Sequence, residues 1–148
     1  MARGYFGIGV WHSKSEVNIG TLWRSAYSYG AAFIFTIGRR YKQQPGDTTK
    51  TWRHIPLLHY ADLADFKAGL PFECRIVGIE NCEEARDLDG YHHPERCVYL
   101  LGAEDHGLSA ESLAVCHDLV RIVTPLPHCL NVAVAGSIVL ASRRRQAV

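Results

Sequence analysis

Short apolar runs alternate with amphipathic stretches along most of the chain, which is typical of strands that alternate with helices. Apolar, β-prone runs predict strands at residues 5–10, 33–37, 55–60, 74–79, 97–101 and 119–122, the third of them at a sheet edge. Helices are predicted at residues 18–29, 62–68, 109–117 and 131–144, with a weaker helical turn at 83–88. The alternation predicts an α/β fold, a mostly parallel sheet with helices on both faces.

Residues at the ends of the predicted helices fit capping positions. Asn18 is predicted to be the N-cap of the first helix, and Gly30 fits its C-terminal stop. Ser109 and Asn131 are predicted to cap the third and the last helix. The last helix carries few polar residues and contains Gly136, so we expect it to be buried on nearly all sides and closely packed.

Composition and charge describe an ordinary globular chain. With 148 residues, 47% apolar content and a formal charge of +1, one domain spanning 1–148 is predicted and a generally cationic surface is excluded. Apolar runs are shorter than the roughly 18 residues of a membrane span, and the N-terminus lacks the features of a signal peptide, so a cytoplasmic protein is expected.

The cysteines fit neither a disulfide framework nor a zinc site. They number five, and no two are spaced as C-x-x-C, so reduced and mostly buried thiols are expected. His92, His93 and Cys97 come nearest to a metal-ligand cluster, but their segment fits a polar loop better, and no metal is predicted.

Residues 98–108 (VYLLGAEDHGL) contain the clearest sign of a ligand site. A buried strand ends there in Gly102, Glu104 and Gly107, and the carboxyl ends of parallel strands are where open α/β sheets bind ligands. Gly102 is expected to let main chain approach a ligand closely. The pair Gly7-x-Gly9 lacks the third glycine of a dinucleotide fingerprint, and no phosphate-binding G-x-x-x-x-G-K-[ST] sequence is present.

Three segments in order resemble a known enzyme family. They are residues 18–26 (NIGTLWRSA), 101–108 (LGAEDHGL) and 120–135 (VRIVTPLPHCLNVAVA). Together they are similar to the SpoU/TrmH-type branch of the SPOUT superfamily, the S-adenosyl-L-methionine-dependent RNA ribose 2'-O-methyltransferases. The resemblance covers residues 18–140 and implies a homodimer and a C-terminal trefoil knot.

The resemblance also implies residue roles. Ile79, Gly102, Ile122, Leu130 and Cys129 should line the cofactor pocket, although the family often has serine at the last position. Apolar walls with a few backbone donors and acceptors would suit a neutral adenine ring.

The same comparison implies four catalytic-site residues, Arg24, Asn18, Glu104 and Asn131. In the family the arginine has been proposed as the general base for the 2'-hydroxyl. Because a guanidinium is protonated at ordinary pH, Arg24 could instead stabilise the developing alkoxide, and both roles stay open. Glu104 is expected to support the site, by holding Asn18 or a helix N-terminus, rather than to move the proton.

The loop at residues 38–54 is basic and is the predicted RNA contact. It carries Arg39, Arg40, Lys42 and Arg53, with Tyr41 and Trp52 available to stack on bases. The short chain favours a compact target such as tRNA, with rRNA as the alternative. The first and last helices are predicted to pack against a partner copy. The cations of residues 143–145 could also contact phosphate, although the helix dipole alone would explain them.

Two other functions remain as alternatives. Cys129 could act as a nucleophile with His128, although adjacent residues in one loop rarely serve the same substrate. The chain could also be a non-catalytic RNA-binding module of the same fold. Binding of S-adenosylmethionine separates the methyltransferase from both.

Overall fold

A computed structural model describes residues 4–42, 50–127 and 129–146, apart from the side chain of Trp52. The strands are β1 (Tyr5–Trp11), β2 (Phe33–Ile37), β3 (Leu57–Tyr60), β4 (Arg75–Ile79), β5 (Arg86–Asp87), β6 (Arg96–Leu101) and β7 (Asp118–Arg121). The helices are α1 (Glu16–Ser28), α2 (Leu63–Gly69), α3 (Ala110–Val115) and α4 (Val132–Gln146), with a 3₁₀ turn at Thr51–Arg53. No helix among the described residues is long and apolar enough to span a membrane.

All strand pairs of the sheet are parallel, in the order β3-β2-β1-β6-β4-β7-β5. One face packs on α1 and α4 through a core that includes Ile8, Leu22 and Val139. The other face packs on α2 and α3 through a core that includes Phe35, Phe66 and Leu113. The predicted α/β class, with helices on both faces, is confirmed; the trefoil knot and the single-domain boundary stay predictions.

The glycine pair of β1 serves packing rather than nucleotide binding. A Cβ atom at Gly7 would overlap the ring of Phe33, and one at Gly9 would overlap Phe35, both on the neighbouring strand β2. Phe35 in turn stacks on Phe66 of α2, with ring centroids 4.9 Å apart. The missing side chains therefore make room for an aromatic layer beneath the central strands.

Two predictions about local structure, a helix cap and a helical turn, are wrong. Ser15, not Asn18, caps α1, because its side chain accepts a hydrogen bond from the Asn18 N–H. The helical turn expected at 83–88 is replaced by strand β5, whose Arg86 and Asp87 pair with β7. Burial of Ala85 and Leu88 on either side explains the error, since two apolar residues three positions apart fit one helical turn as well as they fit an edge strand.

Helix α4 is buried on one face rather than on nearly all sides. Val139 and Leu140 are buried, whereas Val134 is 47% exposed. Gly136 confirms the expected close packing, since a Cβ atom there would overlap Leu22 of α1. The apolar composition of α4 therefore leaves part of its surface uncovered in a single copy of the chain.

The C-terminal end of α4 is anchored through a buried polar cluster. Arg143 is buried, donates to the backbone oxygens of Pro94 (2.7 Å) and Glu95 (2.9 Å), and lies over the ring of Phe6. The buried His93 ring bonds the Tyr99 hydroxyl at 2.7 Å, and burial lowers its pKa to about 4. His93 is therefore neutral at ordinary pH, and its ring takes part in this cluster through hydrogen bonds.

Candidate functional site

Two adjoining cavities open beyond the carboxyl ends of β4 and β6, beside the N-terminus of α4. The larger has a volume of about 450 Å³ and the smaller about 120 Å³. Five residues line both cavities: Ile79, Glu80, Cys129, Leu130 and Ala135. This is the position at which parallel α/β sheets bind ligands, and the larger volume suits a small molecule.

The five predicted pocket residues lie on these walls. Ile79, Gly102, Cys129 and Leu130 line the larger cavity, and Ile122 lines the smaller one. They come from the ends of β4 and β6 and from the segment between β7 and α4. That they bind a cofactor stays a prediction. Cys129 is exposed, and its suggested partner His128 lies outside the described residues.

Residues 102–108 form a tight turn that needs both of its glycines. The Gly107 N–H donates to the Ala103 oxygen at 2.9 Å, and Gly107 adopts a positive φ of 64°. A Cβ atom at Gly102 would overlap the Gly107 backbone. Gly102 is thus required by packing within the turn, and since it also lines the larger cavity, close approach of a ligand there stays a prediction.

Glu104 joins the predicted site residues in one hydrogen-bonded network. Its Oε1 accepts from the Ser13 hydroxyl at 2.8 Å and from the Asn18 side-chain amide at 3.1 Å, and its Oε2 accepts from the Lys14 N–H at 3.1 Å. Asn131 donates from Nδ2 to the Asn18 Oδ1 at 2.9 Å. Residues from three distant segments therefore meet at the edge of the larger cavity.

The network keeps Glu104 ionised. Partial burial raises its pKa, but hydrogen bonds from the backbone N–H groups of Glu104 and Lys14, and from the side chains of Ser13 and Asn18, lower it further. The net effect is a pKa below the ordinary value of a glutamate. A carboxylate stabilised in this way is a weak proton acceptor, which agrees with the expected supporting role.

Asn131 has two roles in the structure. Its Oδ1 accepts from the N–H groups of Ala133 at 2.9 Å and Val134 at 3.3 Å, which confirms the predicted cap of α4. Its amide nitrogen faces the other way, towards Asn18. The direction of α4 is thereby tied to the same network that holds Glu104.

Arg24 lies outside both cavities. It follows Asn18 by six residues of α1, which turns it by about 240° to a different face of the helix. The side chain is exposed, and no hydrogen bond or ion pair joins it to another described residue. The structure of a single chain therefore does not bring Arg24 together with the other three predicted catalytic residues.

The predicted RNA-contact cations are all exposed, and the first of them lie beside the network. Arg39 donates from Nη1 to the Lys14 oxygen at 2.9 Å, and the Lys42 N–H donates to Glu16 at 2.7 Å. Arg40 and Arg53 are also exposed. Residues 43–49 of the predicted basic loop lie outside the described residues.

Sequence reasoning missed Ser13, Lys14 and Glu80. Ser13 is buried against Glu104, and Lys14 contributes a backbone N–H, which any residue could supply. Glu80 lines both cavities, and its Oε2 accepts from the Leu108 N–H at 2.6 Å. Its place directly after a predicted strand was the available signal, because polar residues at that end of a parallel sheet face the ligand site.

The wall of the larger cavity is electronegative. It includes the carboxylates of Glu80, Glu104 and Asp105, and no lysine or arginine among its described residues. Asp105 is paired at 2.7 Å with Lys14, and both side chains are more than half exposed. Within the described part of the chain no three metal-binding side chains cluster, and His93 is occupied by Tyr99 and Ser142.

Comparison with known proteins matches almost the whole chain to one family. The model of the SpoU rRNA Methylase family matches residues 7–141, which include every element of the site. The chain belongs to this family. The three segments that suggested a SpoU/TrmH-type protein therefore identified it correctly, and their hydrogen-bonded meeting at Glu104 is the physical counterpart of that match.

Solved structures of similar chains share the fold of this SpoU family member. An rRNA methyltransferase from Sinorhizobium meliloti with bound AdoMet is 23% identical, with a TM-score of 0.85 over 98% of this chain and 57% of that one. A structure described in terms of the 2-OH methylation of C/U34 on tRNA is 24% identical, with a TM-score of 0.83 over 98% and 97%. The TrmH/SpoU tRNA modifying enzyme of A. aeolicus reaches 0.78 at 22% identity, over 95% and 74%.

A curated relative of this chain is a much longer protein. The mouse protein named tRNA (guanosine(18)-2'-O)-methyltransferase TARBP1 is 25% identical over 138 residues. These make up 87% of the present chain and 9% of the mouse protein. The present chain thus corresponds to a small part of that relative.

Replacing Glu104 by alanine should destabilise the fold. Glu104→Ala leaves the Ser13, Asn18 and Lys14 donors without their acceptor, so the free energy of unfolding in urea should fall by about 1–3 kcal/mol. Asp105→Ala is the matched control, because it removes only an exposed ion pair and should change the free energy of unfolding much less. Equal free energies of unfolding for the two variants would contradict a structural role for the network.

The pH dependence of stability gives the same variant a second readout. Because the pKa of Glu104 is lowered in the fold, the unfolded chain takes up its proton first as the pH falls. The contribution is therefore present above the ordinary glutamate pKa and is lost as the pH falls below it. Between neutral pH and pH ~3, the free energy of unfolding of Glu104→Ala should therefore fall less than that of the wild-type chain.

Proposed function

We propose that the chain is an S-adenosyl-L-methionine-dependent RNA methyltransferase that modifies a ribose 2'-hydroxyl, with tRNA as the favoured substrate and rRNA as the alternative. The observation that carries the proposal is the meeting of Asn18, Glu104 and Asn131 at the edge of the larger cavity. Membership of the SpoU family supports the reaction class. The mouse relative, named for tRNA guanosine 18, supports tRNA, and the S. meliloti protein supports the alternative.

The residues of the cavity fit this cofactor. Leu130 and Ala135 offer apolar surface to an adenine, while the carboxylates of Glu80 and Glu104 suit a ligand that carries a sulfonium and an ammonium group. An electronegative wall would favour the charged methyl donor over its neutral thioether product. When bound, the cofactor would supply an electrophilic methyl group.

The roles of the chain's own residues follow from their protonation. Glu104 stays ionised and holds Asn18, so its task is to position the site rather than to take the proton. Arg24 presents donors only, so its charge would stabilise the negative charge that develops on the ribose 2'-oxygen as that oxygen attacks the methyl carbon and its proton passes to solvent water. Asn131 fixes the N-terminus of α4, whose Val132 and Ala135 line the larger cavity.

RNA is proposed to bind along the exposed cations near the N-terminus of α1. Arg39 and Lys42 lie next to Lys14 and Glu16, so phosphate contacts there would lead the strand towards Glu104. Arg40 and Arg53 extend the same segment. If phosphate contacts dominate, affinity for RNA must fall as salt is added.

Ligand binding and methyl mapping test the function together. Calorimetry with S-adenosylmethionine should show one bound molecule per chain, and RNA from cells lacking the gene should lose a 2'-O-methyl group that wild-type cells carry. Absence of cofactor binding would overturn the proposal and leave a non-catalytic RNA-binding module. The identity of the RNA that loses the group decides between tRNA and rRNA.

Arg24→Lys separates catalysis from folding and cofactor binding. A lysine keeps one positive charge but loses the planar fork of donors, so the methylation rate with saturating RNA should fall at least ~10-fold. Affinity for S-adenosylmethionine should be unchanged, because Arg24 lies outside both cavities. A methylation rate close to that of wild type would remove Arg24 from the mechanism.

A homodimer is proposed through the face formed by α1 and α4. Val17 (69% exposed) and Val134 (47% exposed) lie in the first turns of these helices, whose N-termini meet at the bond between Asn18 and Asn131. This places uncovered apolar surface directly beside the cavity. A second copy seated there would shield it from water.

Light scattering tests the dimer. The chain of 16.5 kDa should have twice that mass at micromolar concentration. Val134→Glu should shift it towards the monomer, because a buried, unpaired carboxylate at the interface is unfavourable. Val123→Glu is the matched control, since Val123 is also exposed (62%) but lies outside α1 and α4. A monomeric wild-type chain would contradict the dimer.

A further inference from the structure

The smaller and larger cavities differ in chemistry, and Glu80 lies where they join. Among the described residues, the smaller cavity has Glu80 as its one charged side chain and is also lined by Ile122, whereas the larger has the further carboxylates of Glu104 and Asp105. Among the described residues that line both cavities, Glu80 is the one with a charged side chain. Whatever ligand occupies both cavities must pass this carboxylate.

The carboxylate of Glu80 is held in place from two sides. Its Oε2 accepts from the Leu108 N–H at 2.6 Å and its Oε1 from the Asn81 N–H at 3.1 Å. The Glu80 backbone N–H donates to the Val120 oxygen of β7 at 3.0 Å. A Cβ atom on Gly107 would overlap Oε2, so the turn at 102–108 packs directly against this side chain. Both the backbone and the head group are therefore fixed before any ligand arrives.

Two acceptor positions remain on Glu80. An ionised carboxylate offers about four lone-pair sites, and the two backbone N–H groups use one on each oxygen. One site per oxygen is left on a residue that lines both cavities. Two acceptors on one rigid head group match the spacing of a vicinal diol, whose two hydroxyls can each donate one hydrogen bond.

We propose that Glu80 binds the ribose diol of the methyl donor. This inference rests on the proposed function. An adenosine with its base against the apolar residues of the smaller cavity, and its charged tail in the larger one near Glu104, has its ribose at the junction. Glu80 would then select for a ribonucleoside and at the same time hold the turn at 102–108 against β4.

Binding of deoxy ligands tests the contact directly. Calorimetry compares S-adenosylhomocysteine with its 2'-deoxy and 3'-deoxy forms on the wild-type chain and on Glu80→Ala. The wild-type chain should bind each deoxy ligand at least ~10-fold more weakly than S-adenosylhomocysteine, as expected for loss of a hydrogen bond to a charged group. Glu80→Ala should bind the parent ligand about 10- to 100-fold more weakly and should no longer distinguish it from the deoxy forms.

A second substitution and a control separate binding from folding. Glu80→Gln keeps an oxygen to accept from Leu108 while losing the charge, so it should keep the wild-type melting temperature more closely than Glu80→Ala and still discriminate less between the ligands. Glu83→Ala removes a nearby exposed carboxylate outside both cavities and should bind all three ligands as wild type does.

The outcomes distinguish this inference from the proposed function. If wild type binds S-adenosylhomocysteine but both Glu80 variants discriminate the deoxy ligands as wild type does, Glu80 does not contact the diol and the proposed function is unaffected. If wild type binds neither S-adenosylmethionine nor S-adenosylhomocysteine, the proposed function fails and the inference falls with it.

Discussion

The candidate site depends on one ionised carboxylate that satisfies donors from separate parts of the chain. Glu104 receives hydrogen bonds from the segment before α1 and from the first turn of α1, and through Asn18 it is linked to the cap of α4. Asn18 and Asn131 alone lie 113 residues apart in sequence. A hydrogen-bonded network at the end of a buried strand needs all of its partners, because leaving one polar group unpaired is costly. The segment before α1, the first turn of α1 and the cap of α4 are all positioned to join this network.

The family's sequence signature thus has a physical explanation in this chain. Segments that look unrelated along the sequence share one network, so a change in one alters the others. The turn at 102–108 shows the same coupling on a smaller scale, since Gly102 and Gly107 pack against each other and Glu80 packs against Gly107. Glycines at these positions are required by the shape of the turn itself. The cavity is the space that remains once these contacts are made.

The sequence predicted most of the sheet and the four helices because strong local patterns determine them, whereas the predicted pocket residues came from the resemblance to a family. Strand β2 was predicted to the residue, and Ser109 and Asn131 cap their helices as expected. The errors lie where local and long-range signals compete. Asn18 is a good capping residue, but its side chain is needed by Glu104, and Ser15 takes the cap instead.

Long-range contacts account for what the sequence could not reveal. Nothing in the local pattern around Glu80 indicates that Leu108, 28 residues away, donates to it. The burial of Arg143 in a helix end that looks solvent-exposed depends on backbone oxygens of residues 94 and 95. Arg24, assigned to the site by resemblance, lies on a different face of α1 from Asn18, which residue spacing along a helix could have indicated.

Because both of its ends are fixed, α4 rigidly links the carboxyl end of β6, beside the cavity, to the region where β6 begins. Its 15 residues span about 22 Å, from the Asn131 cap beside the cavity to the buried polar cluster around Arg143. A fusion tag or truncation that loosens the last turn would therefore act on the distant cavity, although it touches no residue there.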